Sequence, residues 1–133
     1  MATSLKDTTR ATMMGNISTA VTATSRIKVY SGSAPAKTAS PTGTLLSTLT
    51  PSATFGSVSG GVLTCNAISN DTSAAASGTP GYYRVIDGTT DDGTHTQIQG
   101  SAGVGSGDLN FSSTISSGGT VSISSLVYTE GNA

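Results

Sequence analysis

Arg26-Ile27-Lys28-Val29-Tyr30 alternates polar with apolar side chains, and here the period of the chain changes from helical to strand-like. Successive side chains of an extended backbone point to opposite faces, so the alternation predicts a half-buried antiparallel strand. Downstream the pattern recurs in short pieces. Thr44 to Thr50 reads as a second strand, with Leu45 and Leu49 sharing a face and Pro51 ending it. Phe55 precedes the turn Ser59-Gly60-Gly61. Val62 to Ile68 follows, with Leu63, Cys65 and Ala67 on one face and Val62, Thr64 and Asn66 on the other. Tyr82-Tyr83-Arg84-Val85-Ile86 is the stretch richest in strand-favouring residues; Asp87 to Gly93 then reads as a turn and His95 to Gln99 as its hairpin partner.

Between these segments lie turn formers. Ser31 to Gly43, with Pro35 and Pro41, reads as an irregular loop, Asn70 to Gly81 as an exposed loop, and Gly100 to Gly107 as a glycine loop. Leu109 to Ser112 is a short strand and Ser117-Gly118-Gly119 a turn. Val121 and Ile123 share a face, but Leu126 and Tyr128 are out of phase with them, which predicts a β-bulge around Ser124-Ser125. Seven or eight short strands spaced by about ten residues predict an all-β fold, an antiparallel β-sandwich that is jelly-roll-like or immunoglobulin-like. Residues 1–133 read as one domain, with the sandwich over 26–129.

Upstream, residues 4–23 read as one N-terminal amphipathic helix or arm. Ser4 with Asp7 gives a capping-box spacing. Met13, Ile17, Ala20 and Val21 form an apolar stripe that Leu5 extends. Gly15 and many threonines weaken the intrinsic helicity, so docking must stabilise the helix. Its apolar stripe has two destinations: the chain's own sheet, or a neighbouring subunit. On the second reading Leu5, Met13, Ile17 and Val21 are the candidate partner-interface residues.

Composition narrows the function. Only 10% of the 133 residues are charged, about a third are Ser or Thr, and there are one His, one Cys and no Trp. Soluble domains carry about 25% charge. Six cations at a net charge of −1 cannot neutralise a run of phosphates, so no nucleic-acid partner is expected. No polybasic segment or long apolar run suggests a membrane, and Met1 to Arg10 lacks the apolar core of a signal peptide. Low charge means weak self-repulsion, which suits packing into arrays.

The chain is poor in groups that do chemistry. His95 follows a hairpin turn, and no G-x-S-x-G elbow accompanies it. Cys65 reads as a small buried hydrophobe. Asp87, Asp91, Asp92 and Asp108 are the one carboxylate cluster. The loop Asp87 to Gly93 is oxygen-rich like a calcium loop but lacks the EF-hand spacing and its terminal Glu. Asp-Gly pairs are what tight turns require, so a hairpin turn is the expectation and a bound cation the alternative. Gly103 to Gly107 lacks the lysine of a phosphate-binding loop, and the Asn-x-Ser/Thr matches at Asn16, Asn70 and Asn110 are unremarkable in a chain this rich in hydroxyls. No enzyme, cofactor or metal is expected.

The opening Ala2-Thr3-Ser4-Leu5-Lys6 and the run Ile27 to Pro35 resemble a family of small tailed-bacteriophage virion proteins. The likeness continues through Gly43 to Leu49, Gly61 to Ile68, Asp71 to Asp87, Gly107 to Phe111 and Gly118 to Ile123. It is a likeness of overall pattern and includes no catalytic signature. It implies a capsid decoration (cement) protein on the virion surface, bound outside the major capsid protein as a homo-oligomer, a dimer or trimer. The competing readings are a tail, baseplate or head-fibre component and a receptor- or carbohydrate-binding module, for which Tyr82 and Tyr83 are the candidate stacking residues.

Overall fold

The computed structural model describes residues 6–22, 24–124 and 126–129. Among them the chain is mostly β, with one N-terminal helix, α1 (Asp7–Ala20), and eight strands: β1 (Arg26–Ser31), β2 (Leu45–Leu49), β3 (Gly56–Ser59), β4 (Val62–Cys65), β5 (Pro80–Ile86), β6 (Thr96–Val104), β7 (Leu109–Phe111) and β8 (Val127–Thr129). The larger sheet has the order β2-β1-β5-β6-β7 and the smaller one β3-β4-β8.

The alternation around Ile27 sets the larger sheet. Ile27 and Val29 pair with Val85 and Tyr83, and these four point into the main core. Tyr30 and Lys28 pair with Tyr82 and Arg84 on the other face. That face is not left to solvent, because Tyr82, Arg84 and Ile86 are buried too. β1 itself keeps the expected alternation, with Ile27 and Val29 buried and Arg26 and Lys28 partly exposed, while its neighbour β5 is covered on both sides.

Leu45 and Leu49 do not share a face. The register shifts so that Val29 opposes Ser47 while Tyr30 opposes Leu45, leaving Leu46 as the extra residue of a bulge. Leu46 and Leu49 are fully buried and Leu45 is only partly so. A bulge places two residues against one, and alternation beyond it is reversed.

The sheets are not purely antiparallel, which corrects the antiparallel expectation. β7 runs parallel to β6, with Ala102, Gly103 and Val104 opposite Leu109, Asn110 and Phe111. Parallel neighbours ordinarily need a crossover of a dozen or more residues. Here a hook of residues 105–108 suffices, because β7 starts beside Ala102 and the chain retreats only two residues along β6. Gly105 and Gly107 take φ of 70° and 87°, which a side chain would strain. Asp108 fastens the hook: its carboxylate accepts from the Ser101 amide at 3.0 Å and hydroxyl at 2.9 Å. The expected glycine loop thus begins only after Val104.

The β3–β4 hairpin follows the sequence signal, with Gly60 and Gly61 at φ of 60° and 98° between paired Ser59 and Val62. The bulge expected around Ser124-Ser125 falls partly outside the described residues, which omit Ser125. Val121 makes a single bridge to Asp71, and β8 then joins β4. The 70–81 segment is not simply exposed, since Asp71 and Gly78 bridge to Val121 and Ile115, Ala74 is buried and Pro80 opens β5.

The helix packs on the chain's own β3–β4 hairpin, with the Ser18 hydroxyl donating to the Gly56 carbonyl at 3.3 Å. Lys6 is the N-cap and has no side-chain capping bond; Ser4 lies outside the described residues. Thr12 and Thr19 turn their hydroxyls back onto the carbonyls of Thr8 and Gly15, a local bond that lets threonine sit in a helix.

Candidate functional site

Among the described residues the chemistry-bearing side chains are distributed through the fold and do not converge on one cleft. Arg84 is fully buried on β5 and meets its partners there. Its Nη1 donates to Asp91 at 2.8 Å, Nε donates to Gln99 at 2.8 Å, and Nη2 donates to the carbonyls of Ala39 at 2.9 Å and Ala36 at 3.2 Å. Gln99 passes the network on to the Pro35 carbonyl, and the Tyr30 hydroxyl donates to the second Asp91 oxygen at 2.8 Å. Burial, then the bond to the Asp91 carboxylate, pushes the Tyr30 hydroxyl pKa up. Tyr82 stacks on Tyr30 with ring centres 5.0 Å apart, and its hydroxyl is bonded to both the amide and the carbonyl of Thr42. The loop between β1 and β2 is thereby strapped over the outer face of the large sheet. In the sequence only Arg84, a cation in the richest strand, hinted at this; its partner Asp91 is visible only in three dimensions.

The four aspartates weighed together in the sequence, Asp87, Asp91, Asp92 and Asp108, hold separate posts. Asp91 neutralises Arg84. Asp108 fastens the β6–β7 hook. Asp87 is exposed. Asp92 accepts from the Thr94 amide and hydroxyl and lies 3.0 Å from His95 Nδ1. The Thr94 hydroxyl bond and the His95 contact hold the Asp92 carboxyl well below the usual range, and that carboxylate in turn raises the His95 pKa. His95 stands half exposed in the turn and faces Thr94 and Asp92 through the same nitrogen. Among the described residues no three His, Cys, Asp or Glu side chains come together as a metal cage. Cys65 is half-buried, and burial raises its thiol pKa to about 11, which keeps it protonated and unreactive.

Asp71, unremarked in the sequence, caps the open edge of β2. Its carboxylate accepts from the Ser47 hydroxyl and the Thr48 and Ser73 amides at 2.8–3.0 Å. Burial alone would raise its pKa, but these bonds outweigh that and hold it below its ordinary value.

Of the four candidate interface residues, Val21 is 1% exposed and Ile17 packs against the core, so both belong to the interior of this chain. Met13 is 44% exposed. Leu5 lies outside the described residues. The buried stripe is Met14, Ile17 and Val21, one residue round from Met13. All six aromatic rings are buried or half-buried: Tyr82 and Tyr83 are at most 1% exposed, and the Tyr83 and Tyr128 hydroxyls are 2.8 Å apart, joining the two sheets. Neither Tyr82 nor Tyr83 offers a face for a sugar.

No protein-family model, curated protein or solved structure matches this chain.

A concavity of about 640 Å³ lies along residues 108–116 and 119–124. Phe111, Ile115, Val121 and Ile123 point inward, while Ser112, Ser113, Thr114, Ser116, Thr120, Ser122 and Ser124 face out. Both polar backbone groups of Ile115 and Val121 are turned toward Gly78 and Asp71. This segment therefore presents hydroxyls and one side of an extended backbone outward, with Asp108 its single charge.

Proposed function

We propose that this protein is a structural component of a tailed-phage virion, a capsid decoration protein that binds outside the major capsid protein and stabilises the shell. The observation that carries the reading is the commitment of its reactive side chains to internal bonds. Arg84, Asp71 and Asp108 hold backbone in place, Asp91 pairs with the Arg84 and Tyr30 side chains, the Cys65 thiol is protonated, and the surface left over is mostly small hydroxylated residues. Such a surface suits many weak, uncharged contacts that add up when copies sit side by side on an array. The protein acts as a dimer or trimer without catalysis, nucleic acid, membrane or cofactor, and its two sheets face each other as a sandwich. The Tyr83–Tyr128 contact between sheets, and a core cluster drawing on both, support that packing. Exposed Met13 and the hydroxyl-rich 112–124 segment are the contact surfaces this reading favours.

The test is particle composition and strength. Decoration predicts hundreds of copies on the shell by cryo-EM, and particles lacking the protein that break at lower temperature or force. A handful of copies at the tail or baseplate, or equal robustness without the protein, refutes the proposal.

A further inference from the structure

The turn between β5 and β6 carries one dipeptide twice, Asp87-Gly88 and Asp92-Gly93, in two different settings. At Asp-Gly the glycine amide can close onto the preceding carboxyl, because no side chain on the glycine hinders the approach.

Asp92 is badly placed for this. Three contacts from Thr94 and His95 converge on one of its oxygens and keep the carboxyl ionised, so the oxygen is a poor leaving group. Gly93 is buried, and a Cβ there would stand 2.5 Å from the carbonyl oxygens of Thr38 and Ala39, so its backbone is wedged against that loop. Asp87 differs on each count. It is exposed, and its carboxylate acts on His95 only through space. Nothing lies within 4 Å of a Cβ built on Gly88. The backbone is held on either side, by the Asp87 amide on the His95 carbonyl at 2.9 Å and by Lys28 Nζ on the Thr89 carbonyl at 2.8 Å. The Gly88 amide between them bonds to no backbone carbonyl of the described residues.

We propose that Asp87-Gly88 is a spontaneous modification site at which aspartate converts to isoaspartate in the folded protein, while Asp92-Gly93 is protected. The Gly88 nitrogen attacks Asp87 Cγ and forms an N–Cγ bond. The carboxyl hydroxyl leaves with the amide proton as one water, closing a five-membered imide. Water then adds back, and opening at the α-carbonyl routes the backbone through Cβ and Cγ. Water is the only co-reactant.

The experiment is incubation of the intact protein at mildly acidic pH. Isoaspartate is quantified by isoaspartyl methyltransferase labelling and located by electron-transfer fragmentation. Residue 87 should label at least about tenfold faster than residue 92, since each unit by which a carboxyl pKa is lowered removes about tenfold of its neutral form. The denatured chain should label both sites at similar rates, which assigns the difference to the fold. Asp87→Glu, which would have to close a larger ring, should abolish the label at unchanged thermal midpoint. Equal labelling of both sites in the folded protein, label at residue 92 alone, or no label at residue 87 where the denatured chain shows it, overturns the proposal. None of these outcomes depends on where the protein sits in a particle.

Discussion

Replacing Asp91 by Leu would leave the Arg84 guanidinium buried without a counter-charge. The two side chains are 0% and 2% exposed, so water cannot take over the lost partner. Removing one member of a buried pair costs about 3–5 kcal/mol, and here the Tyr30 hydroxyl loses its acceptor as well. At about 2.1 cal/mol/K per residue, a chain of 133 residues has an unfolding entropy of roughly 0.28 kcal/mol/K. A loss of about 4 kcal/mol therefore lowers the thermal midpoint by about 14 °C. The double variant Arg84→Met/Asp91→Leu removes both charges and should recover part of that loss, because an apolar pair has no charge to desolvate. It stops short of full recovery, since the carbonyls of Ala36 and Ala39 lose their donor. Calorimetry on the single and double variants is the assay. A single variant within about 1 kcal/mol of the parent, or a double variant less stable than Asp91→Leu, would refute the claim that buried charge governs this network.

Gly100→Ala should destabilise by about 1–3 kcal/mol, because the new methyl would stand 2.6 Å from Cε1 of Tyr83 on the neighbouring strand; chemical denaturation measures it, and Tyr83→Leu in the same background should relieve part of the loss. Asp71 has a lowered folded-state pKa, so its contribution is fully present above its unfolded value near 4 and fades as pH falls through the folded one. Denaturation midpoints should therefore drop less steeply below about pH 4 in Asp71→Asn, whose starting stability is lower, than in the parent.

What the sequence disclosed follows from which interactions are local. The alternation at Arg26 to Tyr30, the Gly60-Gly61 hairpin and the Leu63/Cys65 face are set by neighbouring residues, and all appear in the structure. The helix was legible as an element, but its buried face was misplaced: the spacing from Ile17 admits Met13 or Met14, and only docking on the β3–β4 hairpin selects Met14. Leu46 shows a second limit, for a bulge depends on the partner strand and leaves no mark in the strand's own pattern. The parallel β7 was hidden for a related reason, since a hook of residues 105–108 reads equally well as an ordinary hairpin turn. At the candidate site, the separate posts of the four aspartates were illegible because Asp91 acquires its role only when Arg84 and the Ala36–Ala39 backbone converge on it.

The inward placement of all six rings, in a chain without tryptophan, has a practical corollary. Tyrosine emission from this protein reports on its interior alone. Adsorption to a surface through Met13 or the serine-rich rim should leave that spectrum untouched, whereas any shift in brightness on contact would mean that the polypeptide rearranges as it lands.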